Sequence, residues 1–358
     1  MAQNRQIPLI IPAYEPDERL ITLLQNLKDA EFNTVILLDD GSGDAYQSIF
    51  ETAEKEYGCT ILRHYRNLGK GRGLKDAFNY CLNAYPDMIG CVTADSDGQH
   101  TPEDIKKCMD ALEQNPSHLI MGCRNFKGEG IPWKSAYGNT LTRKVCKWLC
   151  GVDVTDTQTG LRAIPKKFMA ELMAVDGERF EFEMNMLIAC KGKYDITEVE
   201  IQTIYDSKEN HQTHFDPIRD SIKIYRIFGK MLLKFLISSL SSAIIDLVLF
   251  SVFCKLFKPI DAVFYVTIAA VAARVISATY NYLMNYTFVF KSKENKWKAF
   301  GKYTLLAVIQ MTLSASLVTL GVYLLAAVPE LAIKIVVDVI LFIISYWIQR
   351  ELVFDAQM

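Results

Sequence analysis

The sequence predicts an α/β domain with a mostly parallel sheet flanked by helices, followed by an all-α membrane domain of four transmembrane helices. Over the first 120 residues, short apolar runs alternate with amphipathic segments, which is the pattern of βαβ units. Residues 230–354 contain four long apolar stretches, each meeting the roughly 20 residues that a helix needs to cross a bilayer. These two observations predict a chain with a catalytic or binding part and a membrane part.

Composition sets the broad class of the protein. At 358 residues the chain can hold two domains, and its net charge of −2 gives no argument for a nucleic-acid partner. Pro8 and Pro12 interrupt the first apolar run and no cleavage signal follows, so we expect no signal peptide and a cytosolic N-terminal domain. The nine Cys lack metal-site spacing, and Cys146 and Cys150 have no second pair, so we expect reduced packing residues.

Polar motifs follow the first four predicted strands. The strands are predicted at residues 8–11, 35–38, 59–62, 89–93 and 119–121, and the helices between them at 17–30, 44–57, 73–84 and 102–114. Because ligands bind beyond the carboxyl ends of the strands in such sheets, motifs at these ends should share one site. The motifs occupy residues 12–15, 39–42, 67–71 and 95–97.

The most informative motif is Asp95-Ser96-Asp97-Gly98-Gln99. Two carboxylates two residues apart at a strand end can hold a divalent cation against a diphosphate, and Mg²⁺ or Mn²⁺ prefers such oxygen ligands. The alternative is a polar turn before a helix, where Asp is also common. A diphosphate site tethered to a bilayer predicts chemistry on a lipid.

The membrane part begins after a basic amphipathic segment at residues 216–229, which predicts an interfacial helix. The spans are predicted at residues 231–256, 262–286, 303–327 and 331–352. Five Lys in the 291–302 loop, together with the basic residues that flank the first span, place these segments on the cytoplasmic side. We therefore expect a multi-pass protein with both termini and the N-terminal domain in the cytosol.

The membrane part also contains an internal repeat. Tyr282, Asn285 and Phe290 match residues 346, 349 and 354 at one offset of 64, so two helix pairs are interpreted as duplicates. Such repeats are common in membrane proteins that move substrates. Four ionisable residues lie within the predicted spans: Asp246, Arg274, Lys334 and Asp338. Both aspartates are candidate partners of Arg274 in an ion pair that joins the repeats. The Lys334 side chain is expected to snorkel toward the membrane surface.

Several motifs together resemble a known family. Residues 1–215 resemble a family 2 glycosyltransferase with a GT-A fold, of the polyprenol- or dolichol-phosphate sugar synthase type. The matching motifs are residues 11–15 (IPAYE), 38–42 (LDDGS), 67–73 (NLGKGRG), 95–100 (DSDGQH) and 156–162 (DTQTGLR). Residues 230–358 resemble a GtrA-like membrane domain, through the repeat signatures. One departure is Ser96, where the family often has Ala.

The resemblance implies a metal-dependent, inverting transfer of one sugar. The donor would be a GDP- or UDP-sugar, the acceptor dolichyl or undecaprenyl phosphate, and the site the cytosolic membrane face. Three alternatives stay open: a membrane domain that also moves the glycosylated lipid across the bilayer and therefore oligomerises, a processive polysaccharide synthase, and a binding module without catalysis. The absence of Gln-x-x-Arg-Trp disfavours the synthase, and the intact residues 95–99 disfavour the binding module.

The resemblance also implies roles for individual residues. Asp97 and Gln99 would bind the metal. Asp95 would be a further metal ligand, or it would lie near the ribose or a metal-bound water. Arg124 would clamp the acceptor phosphate, with Arg143, Arg162 and Arg219 as rivals. Asp156 would orient the acceptor or the sugar, or form a structural turn, and Glu181 and Glu183 would contact the sugar or begin a helix. The expected nucleotide-binding residues are Pro12, Tyr14, Glu15, Asp39, Asp40, Lys70, Arg72, Asp95 and Ser96.

Overall fold

A computed structural model describes residues 7–124, 140, 143–144, 146–148, 151–202, 219–258, 265–325 and 328–354. The chain divides into two compact units, Met1–Tyr225 and Arg226–Met358.

The first unit is an α/β layer structure. Its strands are β1 (Leu9–Ala13), β2 (Val35–Asp39), β3 (Thr60–Arg63), β4 (Gly90–Thr93), β5 (Leu119–Arg124), β6 (Arg162–Pro165) and β7 (Ile196–Ile201). Its helices are α1 (Glu18–Asp29), α2 (Gln47–Tyr57), α3 (Lys70–Ala84), α4 (Pro102–Gln114), α5 (Lys166–Leu172) and α6 (Glu181–Cys190), with a 3₁₀ turn at Asp44–Tyr46.

The strands form one sheet in the order β3-β2-β1-β4-β6-β5-β7. Every pairing is parallel except those of β6, which runs antiparallel to both β4 and β5. The prediction of a mostly parallel sheet is therefore confirmed. All of β1, β2 and β4 is buried, as expected for strands covered by helices on both faces.

Local signals account for the helix starts. Asp17 caps α1 by accepting a hydrogen bond from the Arg19 N–H, and Thr101 caps α4 by accepting one from Asp104. Pro102 occupies the first turn of α4, where its missing N–H costs nothing. One predicted boundary was wrong, because α3 begins at Lys70, three residues before the predicted start of that helix at residue 73.

Helix α7 (Arg219–Phe257) begins before Arg226 and continues into the second unit, which also contains α8 (Tyr265–Met284), α9 (Lys296–Leu324) and α10 (Glu330–Ile348). Within the described residues, three segments are long and apolar enough to cross a membrane: Leu232–Phe257, Lys296–Leu324 and Ala332–Val353. Helix α8 coincides with the predicted second span but is not one of these three segments. The second predicted span therefore stays a prediction. The predicted interfacial segment, from residue 219 onward, is continuous with the first span in α7.

The sequence repeat corresponds to a structural repeat. A π-helical turn follows α8 at Asn285–Val289, and another follows α10 at Gln349–Val353. Asn285 Nδ2 donates to Gln349 Oε1 at 2.9 Å, and this bond joins residues 64 apart. The rings of Phe290 and Phe354 stack at 5.2 Å between centroids. Each of these two contacts joins a residue to its own repeat partner. The ring contacts Tyr282–Phe354 and Phe290–Tyr346 are also equivalent under the repeat, and both have centroids 5.9 Å apart. The C-terminal ends of the two helix pairs thus pack against each other symmetrically.

The charged residues of this unit pair within each repeat. Arg274 Nη2 lies 3.1 Å from Asp246 Oδ2, which joins α8 to α7. Asp338 instead pairs with Lys334 at 2.7 Å and accepts a hydrogen bond from Ser314 of α9. The expected Arg274–acid pair is present, but the expectation that it joins the two repeats was wrong. Lys334 was expected to snorkel, and its ammonium is held by Asp338.

Candidate active site

A cleft of about 480 Å³ lies at the carboxyl ends of the central strands of the first unit. All four polar motifs reach it, as the parallel topology requires. Among the predicted residues, its wall contains Pro12, Tyr14, Glu15, Asp40, Lys70, Asp95, Ser96, Asp97 and Arg124. Further wall residues include Asp17, Arg19, Asn67, Thr157, Gln158, Arg179, Phe180 and Glu183.

A lysine between two carboxylates forms the floor of the cleft. Lys70 Nζ lies 2.6 Å from Asp95 Oδ1 and 3.0 Å from Glu183 Oε1. Burial alone would lower the pKa of Lys70, but the two carboxylates outweigh it and hold that pKa above its ordinary value. Burial likewise opposes the charged form of Asp95, yet the Lys70 ammonium outweighs it and holds the pKa of Asp95 far below its ordinary value. Both groups are therefore charged near neutral pH.

Asp97 has a different environment. Its Oδ1 accepts a hydrogen bond from the Gln99 N–H at 3.0 Å. Burial, and then the negative charge of Asp95, raise the pKa of Asp97 above its ordinary value. This pair of neighbouring carboxylates therefore has an excess of negative charge that a cation would relieve.

The residues at the strand end fit a divalent metal in part. Asp97 lines the cleft, but one oxygen of Asp95 is taken by Lys70, and Gln99 is not part of the cleft wall. Among the described residues no three His, Cys, Asp or Glu side chains form a ligand cluster. A metal here would be held by one or two carboxylates and by oxygens of its substrate, which is how proteins usually hold Mg²⁺.

The far side of the Asp95 carboxylate is closed by two neighbours. His100, which is buried, places Nε2 3.5 Å from Asp95 Oδ2. A Cβ added to Gly160 would lie 2.3 Å from the same oxygen. The Asp156–Arg162 motif thus contributes a glycine whose missing side chain leaves room for Asp95.

The Gly-rich motif serves close packing between segments. Gly69 has φ +104°, and a Cβ there would lie 2.4 Å from the Glu178 carbonyl oxygen. A Cβ on Gly71 would lie 2.5 Å from Phe182 Cβ. These glycines let residues 178–182 approach the start of α3, which brings Glu183 to Lys70.

Asp40, the residue directly after β2, supports the loop that precedes α3. Asp40 accepts hydrogen bonds from the N–H groups of Leu68 and Gly69, both at 2.8 Å. His64, whose side chain is 8% exposed, places Nδ1 2.7 Å from Asp40 Oδ1 and Nε2 3.1 Å from Asp76 Oδ2. Asp40 reaches the cleft wall while it holds the loop that leads to Lys70.

The other predicted nucleotide contacts differ in placement. Asp39 is buried, accepts a hydrogen bond from the Ser42 N–H and pairs with Arg63, and it is not part of the cleft wall. Glu15 lines the cleft with φ +49°, and its N–H donates to Ser42 Oγ at 2.9 Å. Arg72 lies outside the wall and pairs with Asp76 at 2.9 Å on the exposed side of α3.

Arg124 is the arginine of the predicted acceptor set that the structure brings to the cleft. It ends β5, and its Nε and Nη2 donate to the two oxygens of Asp156 at 2.7 and 3.2 Å. Asp156 is fully buried and also accepts a hydrogen bond from the Gln158 N–H. This two-point contact fixes the plane of the guanidinium.

The rival arginines lie elsewhere. Arg162 is buried in β6, where its guanidinium donates to the backbone carbonyls of Thr159 and Glu183. Arg143 lies near Asp153, with Nη2 3.4 Å from Oδ1, and is not part of the cleft wall. The Arg219 side chain lies outside the described residues, as does Cys150, whereas Cys146 is a free, buried cysteine, as expected for a packing residue.

Two cleft arginines were missed by the sequence reasoning. Arg19 is held by Asp17, with Nη2 2.8 Å from Oδ2, and Arg179 lies within the segment that packs on Gly69. The capping signal of Asp17 could have located Arg19 at the first turn of α1. No local signal marks Arg179, because the close approach of residues 178–182 to α3 is a tertiary contact. Glu183, which was predicted as one of two alternatives, lines the cleft, whereas Glu181 does not.

Comparisons with known proteins agree with this architecture. Residues 9–169 match the family model Glycosyl transferase family 2, and residues 234–354 match the model GtrA/DPMS, transmembrane domain. The chain is 30% identical to UDP-N-acetylglucosamine--dolichyl-phosphate N-acetylglucosaminyltransferase of Methanococcus voltae, over 56% of this chain and 87% of the relative. It is 25% identical to dolichol-phosphate mannosyltransferase of Pyrococcus furiosus, over 80% of this chain and 81% of the relative.

A third relative is polyprenol monophosphomannose synthase of Mycolicibacterium smegmatis, 24% identical over 54% of this chain and 75% of the relative. The alignment with the first relative covers little more than half of this chain, whereas the alignment with the second covers four fifths of it. The chain belongs to glycosyl transferase family 2 and combines its catalytic domain with a GtrA/DPMS transmembrane domain.

Proposed function

We propose that the protein transfers one sugar from a nucleotide sugar to a polyprenyl phosphate at the cytosolic face of a membrane. The observation that supports this most is the cleft, in which an acidic strand end faces an arginine that a buried carboxylate orients. The acidic side suits a metal-bound diphosphate, and the arginine suits a phosphate. The names of the three relatives support the choice of a polyprenyl or dolichyl phosphate as acceptor.

The acceptor side needs orientation more than proton transfer. A lipid monophosphate is ionised near neutral pH, so its oxygen can attack without a protein base. In the proposed step that oxygen forms a bond to the anomeric carbon while the bond to the nucleoside diphosphate breaks, and in-line attack inverts the configuration. Arg124 would bind the phosphate through its guanidinium, and Asp156 would act behind it as a positioning residue.

The donor side carries the developing charge. The departing diphosphate gains negative charge as the sugar leaves, and Lys70 is the cleft cation beside Asp95. Asp97, with Asp95 as a second ligand, would hold Mg²⁺ or Mn²⁺, which would act as a Lewis acid toward that diphosphate. We place Asp40 and Glu15 along the nucleoside, since both line the cleft beyond the ends of β1 and β2.

The proposed orientation in the membrane rests on the distribution of lysines. Lys291 and Lys293 are exposed in the segment between α8 and α9, and Lys296 is exposed at the start of α9, which fits a cytoplasmic loop. This would put the first unit, residues 1–215 in the predicted division, and both termini in the cytosol. Residues 230–358 would then anchor the protein in the membrane that contains the lipid acceptor.

A donor screen tests the proposal. Purified protein is incubated with a short polyprenyl phosphate, Mg²⁺ or Mn²⁺, and a panel of UDP- and GDP-sugars, and the lipid product is detected by mass spectrometry. We expect one donor to give a lipid carrying a single sugar. Absence of any lipid product across the panel, from protein that retains its folded state, would contradict the proposal.

A further inference from the structure

Glu183 shares the cleft lysine with Asp95. Its Oε1 lies 3.0 Å from the Lys70 ammonium, and Asp95 Oδ1 lies 2.6 Å from the same nitrogen. Of the two acids at the start of α6, Glu181 accepts hydrogen bonds from two preceding backbone N–H groups, whereas Glu183 reaches the cleft wall. Because Glu181 serves that local role at the helix start, the contact between Glu183 and Lys70 needs another explanation.

The backbone at Glu183 is held by contacts that do not involve its charge. The buried Arg162 guanidinium donates to the Glu183 carbonyl oxygen at 2.7 Å. The preceding residue, Phe182, is fully buried and packs so closely on Gly71 that a Cβ there would lie 2.5 Å from Phe182 Cβ. A change of Glu183 to glutamine, which has the same shape, therefore removes the charge and leaves this packing in place.

Asp95 has limited means of binding both the lysine and a metal. Its Oδ2 faces His100 Nε2 at 3.5 Å and the Cα of Gly160, and its Oδ1 accepts the hydrogen bond from Lys70. An ammonium paired with Asp95 alone would neutralise that carboxylate and oppose a divalent cation beside it, since an adjacent like charge is unfavourable. A second carboxylate on the same ammonium offsets this effect.

We propose that Glu183 acts through Lys70 as a positioning residue for the metal site. By taking a share of the ammonium, Glu183 leaves Asp95 and Asp97 with the negative charge that Mg²⁺ or Mn²⁺ requires. The inference rests on the proposed function, because it uses the metal site assigned there to these two carboxylates. A direct contact of Glu183 with the sugar would instead affect the donor and leave metal binding in the absence of donor unchanged.

The first test measures Mn²⁺ binding to the full-length protein without donor or acceptor. The readout is the Mn²⁺ concentration that produces a fixed rise in melting temperature. In Glu183→Gln this concentration should increase about tenfold, which is the scale of one lost contact between charged groups. Glu178→Gln is the matched control, because Glu178 Oε1 lies 3.0 Å from the Lys75 ammonium outside the cleft wall, and it should require the same Mn²⁺ concentration as the wild type.

Two further readouts show whether the effect passes through the lysine. Adding Glu183→Gln to a Lys70→Met protein should change the Mn²⁺ requirement by less than about twofold, because the shared ammonium is already absent. In the Glu183→Gln single variant, raising Mn²⁺ about tenfold should restore most of the sugar transfer, which it would not do for a packing defect.

The outcomes separate this inference from the proposed function. A wild type that Mn²⁺ does not stabilise, an unchanged Mn²⁺ requirement in Glu183→Gln, an equal increase in Glu178→Gln, or a full effect of Glu183→Gln in the Lys70→Met protein would each overturn the role of Glu183. An unchanged requirement together with a raised KM for the donor would assign Glu183 to the sugar. The expected Mn²⁺ responses without any product in the donor screen would contradict the proposed function alone.

Discussion

Replacing Lys70 with methionine isolates the charge at the floor of the cleft. The side chain keeps its length and apolar stem but loses its ammonium, so Asp95 and Glu183 lose a shared counter-charge at 2.6 and 3.0 Å. The side chains of Lys70, Asp95 and Glu183 are 17%, 32% and 14% exposed, so both ion pairs are partly shielded from solvent. Transfer should fall by orders of magnitude, because Asp95 loses the contact that orients it.

The stability cost follows from the same geometry. Removing one partner of a buried pair costs about 3–5 kcal/mol, because it leaves uncompensated charge behind. Since Asp95 is partly exposed, we expect the lower end of that range. For a unit of roughly 150–250 residues, about 3 kcal/mol lowers the melting temperature by about 6–12 °C.

Arg72→Met is the matched control on the same helix. Its pair with Asp76 joins side chains that are 48% and 39% exposed at i, i+4 spacing, which is worth about 0.3–0.5 kcal/mol. The assay compares thermal unfolding and sugar transfer for wild type and both variants in one detergent. A Lys70→Met protein that melts within about 2 °C of wild type, or an Arg72→Met protein equally impaired in transfer, would refute the reasoning.

Three further predictions concern the cleft. Asp97→Asn should abolish the rise in melting temperature that Mn²⁺ gives the wild type, because it removes the carboxylate charge of the proposed metal site; an unchanged rise would place the metal elsewhere. Asp156→Asn should raise the KM for polyprenyl phosphate several-fold more than the KM for the nucleotide sugar, since it loosens Arg124 alone; equal effects in steady-state kinetics would contradict that positioning role. Gly160→Ala should reduce kcat at least tenfold, because the new methyl would lie 2.3 Å from an Asp95 oxygen; wild-type kcat would show that the carboxylate can move freely.

The sequence predicted the parts of this protein that depend on local pattern. The parallel strands were found because each buried strand is a run such as Val35–Asp39 bounded by polar turn residues. The position of the site followed, since parallel topology brings the strand ends to one edge. The two helix pairs were recognised because their signatures repeat at a constant offset.

The contacts that tertiary packing decides were not predictable in the same way. Lys70 was predicted as a nucleotide ligand, and its partner Glu183 is 113 positions further along the chain, brought there by packing against Gly69 and Gly71. Arg162 was a rival candidate for the acceptor phosphate, but it lies in β6, which inserts between β4 and β5, and it is buried there. Such insertions leave no periodic signal in a single sequence.

The choice of acceptor tests the central claim most directly. Wild-type protein and Asp97→Ala are each given the donor identified by the screen, with either polyprenyl phosphate or the matching polyprenol, and the lipids are analysed by mass spectrometry. We predict one sugar on polyprenyl phosphate with the wild type, none on polyprenol, and a loss of orders of magnitude with the variant. Transfer to polyprenol at a similar rate, addition of several sugars in succession, or an active Asp97→Ala variant in the presence of a chelator would contradict the account.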